Sequence, residues 1–223
     1  MTFLLVYNTR TPEEHRTFAR RLAEQMGKQY VETGSIPDDV ETFCDDNGID
    51  MLFISCSNSR NEVQRWLDRC RTLRLPYIFL TDTMTKVQPV SRILMPVTLL
   101  EEEVHKAQTA AHISRFTGAH IILLRAHDYG SKARQNTQKI ITLLDKFSLS
   151  YEAHEARKDS FAITRELSDR QRDFVPDLLI LTASRDYGLD DIVFGPPERH
   201  AIRRSTVPVL LLNPRGDLYA LCD

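Results

Sequence analysis

Short apolar runs alternate along the chain with longer stretches whose apolar residues recur at helical spacing, and that alternation predicts an α/β fold. Phe3 to Tyr7 reads as a buried strand. Thr11-Pro12-Glu13-Glu14 then reads as an N-cap with Pro at the first helical position and a capping-box glutamate. Phe18, Ala19, Leu22 and Met26 share one face of the helix that follows, and Gly27 stops it. A short strand near Gln29 to Glu32 precedes a weaker helix carrying Val40, Phe43 and Cys44. Met51-Leu52-Phe53-Ile54 is apolar without alternation, as expected of a strand covered on both faces. Ser59-x-x-Glu62 opens a helix with Val63, Trp66, Leu67, Cys70 and Leu73 inward, and Pro76 to Leu80 supplies the next strand.

From Arg92 the pattern starts again. Ile93 to Val97 is the strand and Thr98-x-x-Glu101 a second capping box, ahead of a helix facing inward through Val104, Ala107, Ala111 and Ser114 as far as Gly118. There follow a strand from His120 to Arg125, a helix from Ser131 to Phe147 with Ile140, Ile141, Leu144 and Phe147 inward, and a strand near Tyr151 to Glu155. The closing part comprises a helix with Ile163, Leu167, Arg170 and Phe174 on one face, a strand from Leu178 to Leu181, a short helix from Pro197 to Arg204 and a strand from Val207 to Leu212. The order of elements is an internal repeat. Ile49 to Ser55 aligns with Pro176 to Thr182, and Leu75 to Asp82 echoes Val207 to Asn213, so Asn8 corresponds to Thr98. The expected division is a shortened domain at 1–82, a polar linker from Thr83 to Ser91, a full domain at 92–213 and a C-terminal extension at 214–223, whose Leu218, Tyr219 and Leu221 suit a groove or an association surface.

Charge and composition narrow the function classes. Lys and Arg number 29 against 31 Asp and Glu, a formal charge of -2, so the chain lacks the broad cationic field of a general nucleic-acid or membrane-surface binder. Apolar runs such as Val207 to Leu212 are far shorter than the ~20 residues a membrane-crossing helix needs. With no basic leader before Phe3, a cytoplasmic protein is expected. Cys44, Cys56, Cys70 and Cys222 have no C-x-x-C spacing and read as reduced core thiols, Cys56 being the one placed where a helix start could activate it. The histidines form no metal-ligand pattern, and His105 and His112 share a helix face read as solvent-exposed.

The second copy resembles the universal stress protein family. The resemblance is carried by Ile-Leu-Met-Pro-Val at 93–97, Asp-Leu-Leu-Ile-Leu at 177–181, Gly188 and Gly195, and Arg-Arg-Ser-Thr-Val-Pro-Val-Leu-Leu-Leu at 203–212, with residues 1–82 similar to a trimmed, divergent copy as in tandem members. It implies two Rossmann-like, flavodoxin-like units, each a parallel sheet flanked by helices in strand order 3-2-1-4-5, with strand 76–81 laid against strand 207–212. It also implies a ligand crevice at the strand ends, where many members bind ATP or AMP. There the family has an aspartate after its first strand, where this sequence has Thr98, read as an N-cap, and Asn8. The family's G-x-x-G-x9-G-S loop falls on Thr182, Arg185, Gly195 and Pro196, of which only Gly195 matches. Pro196 removes a hydroxyl and an amide donor, and Pro197 the next amide.

Gly188 and Gly195 therefore read as turn glycines. A second candidate for anion binding is Ser55-Cys56-Ser57-Asn58-Ser59, where Ser57 and Ser59 gather at a helix start beside Asn8, or simply cap it. Arg199, His200, Arg203 and Arg204 form a basic turn at a helix end, suited to a solvated face or to an acidic partner. No activated nucleophile, acid–base pair or metal set stands out, so no enzyme activity is expected. The expected function is that of a cytoplasmic, stress-response or regulatory binding protein with a degenerate nucleotide site and no cofactor, acting on a protein partner or by self-association through its last strands. The alternative is an ATP- or AMP-binding member with weak ATPase activity, and a receiver-type domain is disfavoured because the acidic pocket is missing.

Overall fold

The computed structural model describes residues 2–84, 87–184 and 196–214. Arg185, Gly188, Gly195 and all of the C-terminal extension beyond Pro214 lie outside the described residues. In chain order the first segment forms β1 (Thr2–Val6), α1 (Glu13–Gln25), β2 (Gln29–Thr33), α2 (Val40–Asp46), β3 (Ile49–Cys56), α3 (Arg60–Arg69) and β4 (Tyr77–Thr81). The second forms β5 (Arg92–Val97), α4 (Glu103–Thr117), β6 (His120–Arg125), α5 (Lys132–Lys146), β7 (Tyr151–Glu155), α6 (Ile163–Asp169), α7 (Gln171–Phe174), β8 (Leu178–Thr182), α8 (Pro197–Arg204) and β9 (Val209–Leu212).

All nine strands belong to one mixed sheet, ordered β2-β1-β3-β4-β9-β8-β5-β6-β7. β4 and β9 join the segments as an antiparallel pair, Tyr77 opposite Leu211 and Phe79 opposite Val209, and the other pairs are parallel. The first segment supplies four strands, so the five-strand order 3-2-1-4-5 does not describe it. The chain between Thr33 and Ile49 holds only α2 and turns, too little for another strand with its crossover helix. The last strands are also not open edges for a second copy, because β4 and β9 each have neighbours on both sides; among the described residues the outermost strands are β2 and β7.

The unbroken apolar runs are explained by two covered faces. Leu4, Leu52, Ile54, Leu179 and Leu181 pack with α2, α3, α6 and α8, whereas Phe3, Phe53, Ile78, Ile93 and Ile180 pack with α1, α4 and the Ile140–Leu144 face of α5. Asn213, just past β9, accepts from the Tyr77 hydroxyl at 2.9 Å and donates to the carbonyls of Cys70 and Leu73. That clasp ties the end of the second segment to the first.

Several local readings are corrected by packing. Phe147 is exposed at the end of α5, beneath the Arg115 guanidinium at 5.4 Å. The helical stretch through 163–174 breaks at Arg170, which turns out to pair with Glu166 and Asp173. The inward face of α4 carries Glu103 and Lys106 beside its alanines, while Val104 is half-buried.

Candidate functional site

In an open α/β sheet the ligand crevice lies beyond the carboxyl ends of the strands, where the chain changes direction across the sheet. The first segment reverses between β1 and β3, and there a cleft of about 320 Å³ is lined by Asn8, Thr9, Arg10, Pro12, Ser55, Cys56, Ser57, Glu62 and Asp82.

A directed chain of hydrogen bonds builds its floor. The Asn8 amide donates to Thr11 Oγ1, and the Thr11 hydroxyl donates to Ser55 Oγ, each at 2.9 Å. Ser55 in turn meets His15 Nδ1 at 2.9 Å, and the ring also bonds the Thr81 backbone. With one ring N–H given to the Thr81 backbone, a neutral imidazole has its other nitrogen free to accept, so the Ser55 proton is assigned to His15 Nδ1. Burial first, against the opposing pull of Glu14 and Asp82, lowers the His15 pKa to about 4. Thr11 is thus part of this network and not the cap of α1, whose N-cap is Pro12 with no side-chain bond.

The Ser57 to Ser59 turn is filled from within. Asp82 Oδ1 accepts from the Asn58 amide at 2.9 Å, Ser57 Oγ accepts from the Ser59 amide, and Ser59 Oγ caps α3 by accepting from the Glu62 amide at 3.2 Å. A carboxylate of the chain itself therefore lies on an amide that an incoming anion would use, and Glu62 adds a second negative charge to the lining. Cys56 is no reactive thiol here, since burial, then Glu62 and Asp82, push it well above its usual range. Burial acts likewise on Cys70 and raises Cys44 to about 11. A thiol reagent is expected to leave all three unmodified under native conditions and to label them only after unfolding; peptide mass spectrometry showing native labelling at Cys56 would contradict this burial.

The second segment reverses between β5 and β8. Thr98, just past β5, is buried and caps no helix: α4 begins at Glu103, and the Thr98 hydroxyl donates to Glu103 Oε1 at 2.7 Å while accepting from the Leu100 amide. Glu103 forms an ion pair with Lys106, both side chains being 1% exposed, and Lys106 Nζ also donates to the Pro96 carbonyl at 2.5 Å. Burial holds the Lys106 ammonium below its usual range, with Glu103 opposing. Across the reversal Thr182 Oγ1 is buried without a hydrogen-bond partner among the described residues. Ser184 donates through its amide and its hydroxyl to buried Glu198, in the first turn of α8 just beyond Pro196 and Pro197.

Thr98 and Thr182 stand at strand ends, and Ser57 and Ser59 at the start of α3; beside them the structure brings His15, Asp82, Glu103, Lys106 and Glu198. An acid in the first turn after Pro-Pro was a legible signal for Glu198. No such signal marked His15 or Lys106. Among the described residues no three potential metal ligands converge, and no helix is long and apolar enough to cross a membrane.

No family model and no curated protein matches this chain. Solved structures do. A universal stress protein from Archaeoglobus fulgidus DSM 4304 superposes with a TM-score of 0.63 at 13% identity, covering 97% of this chain and 86% of that one. A protein assigned to the same group from Pseudomonas aeruginosa UCBPP-PA14 gives 0.57 at 14%, covering 98% and 84%. A protein of unknown function from Pseudomonas aeruginosa PAO1 gives 0.56 at 14%, covering 98% and 83%. At such identities the likeness establishes the fold. The chain has an α/β fold like that of the universal stress proteins, a mixed sheet flanked by helices.

Proposed function

We propose that this chain is a tandem universal stress protein with a divergent first copy, a cytoplasmic regulatory factor that acts by association and not by catalysis, and that neither strand-end crevice takes ATP or AMP. One observation carries the reading. In each segment a carboxylate of the chain lies on donors that a phosphate would need, Asp82 on the Asn58 amide and Glu198 on the Ser184 amide and hydroxyl. Burying a phosphate beside either carboxylate sets like charges together at low dielectric. The start of α8 adds to this, because Pro196 and Pro197 carry no N–H. Thr98, standing where family members place an aspartate, has its hydroxyl committed to Glu103. The residues therefore fit a nucleoside triphosphate poorly.

The test is a titration of the 15N-labelled full chain with ATP and with AMP, following the amides of Val97, Thr98, Thr182, Ala183, Ser184 and Asn58. They are expected to stay in place up to millimolar nucleotide. Saturable shifts at those positions with a micromolar midpoint would overturn the reading in favour of a nucleotide-binding protein, and ATP turnover abolished by substitutions there would make it a weak ATPase.

A further inference from the structure

The formal charge of the chain is close to balance at -2, but its cations are not evenly spread. Where the start of α3 meets α8, a cleft of about 290 Å³ is lined by Arg60, Arg199, His200, Arg203 and Arg204, and no acidic side chain is among its described lining residues. It draws on both segments.

Two of these cations are held in position by the fold. Arg199 is nearly buried and donates to Gln64 Oε1 at 2.7 Å. Arg203 donates through Nε to the Asn58 carbonyl at 3.1 Å, while the Asn58 side chain donates back to the Arg203 carbonyl at 3.0 Å. Fixing a guanidinium through Nε keeps its two terminal nitrogens on one side as a fork, and it removes rotamer freedom that a ligand would otherwise have to freeze. His200 lies in the same positive field: burial, then Arg204 and Arg165, hold its imidazole below the usual range, against the weaker opposing pull of Asp169.

Guanidinium groups gathered around one cleft raise its positive potential and draw anions to it. The planar fork of arginine matches pairs of phosphate oxygens. The volume is near the bottom of the ~300–1,000 Å³ range of small-molecule sites, which suits a compact anion better than a protein segment or a nucleic acid. We propose that this junction cleft binds a small ligand bearing linked phosphate groups, at a place separate from both strand-end crevices.

The proposal does not depend on how those crevices are read, and its probe carries no nucleoside. The full chain is titrated calorimetrically with inorganic tripolyphosphate at low and at physiological salt. Saturable binding is expected, weaker at the higher salt and weaker still for orthophosphate. R203Q/R204Q is expected to lower the affinity about tenfold or more, the loss of at least one charge-assisted hydrogen bond, while still melting as a cooperatively folded protein. Should that variant unfold, R60Q/R204Q leaves both Asn58–Arg203 bonds intact and must show the same loss. The absence of heat with millimolar tripolyphosphate, or equal affinity in the folded variants, overturns the proposal. Displacement of tripolyphosphate by a lower concentration of a glutamate-rich peptide also overturns it, assigning the cleft to an acidic protein partner.

Discussion

Glu103→Gln is expected to destabilise the protein by about 3–5 kcal/mol, the cost of breaking a buried pair by removing one partner. Glutamine has nearly the same shape, so little packing changes. What changes is that the Lys106 ammonium, 1% exposed beneath α4, keeps the Pro96 carbonyl but loses its counter-charge. Lys106→Met should cost a similar amount for the mirrored reason, leaving Glu103 with only the Thr98 hydroxyl. Thr98→Val, Glu103→Leu and Lys106→Met combined should recover most of the loss, since an apolar replacement of a whole buried ionic group is often neutral or better. Urea unfolding of wild type, singles and triple closes the comparison. Singles costing less than about 1 kcal/mol, the value of a surface pair, would show that this cluster is hydrated and that the β5 crevice is open.

Acidification should act mainly on the other crevice. Between pH 6.5 and 4 His15 is expected to remove about 3 kcal/mol of stability, from the gap between its ordinary pKa of 6.5 and the folded value of about 4. The sign follows from proton counts. In that window the unfolded chain carries the proton and the folded chain does not, so stability falls as pH falls; this contribution is fully present above 6.5 and is exhausted below 4. Protonation forces the imidazole to donate at Nδ1, where the Ser55 proton already points, and so disrupts the chain from Asn8 through Thr11 to Ser55. Carboxylates also titrate in acid, so the decisive quantity is the difference in slope between wild type and His15→Gln in denaturant unfolding from pH 7 to 4. Parallel slopes would mean that His15 ionises freely in the folded state.

The parts of the fold legible in the sequence were those whose cause is local. Met51 to Ile54 and Ile121 to Leu124 are apolar without a gap because both faces of a central strand are covered, and a run of that kind has little other use. Val63, Trp66 and Leu67 mark the buried face of α3 because a helix repeats its direction every 3.6 residues. The capping signature was less dependable. Ser59 does cap α3, whereas Thr11 and Thr98, with equally suitable spacing, give their hydroxyls to Ser55 and Glu103. The same hydroxyl accepts from a helix amide or donates to a buried neighbour according to what the adjoining strands place beside it, and spacing says nothing of that. Glu103 and Lys106, three apart, look like a surface pair until the sheet covers them.

By itself the sequence determined the kind and order of the elements and the lack of amide donors at Pro196 and Pro197, because periodicity and covalent chemistry act within a few neighbouring residues. The tertiary structure decided what stands at the strand ends. Asp82 comes to the Asn58 amide from 24 residues away, and Arg203 to the Asn58 carbonyl from 145 away. The first meeting follows from the parallel pairing of β3 with β4, and the second from the joining of the two segments through β4 and β9; a charge acquires its partner and its burial through such pairings.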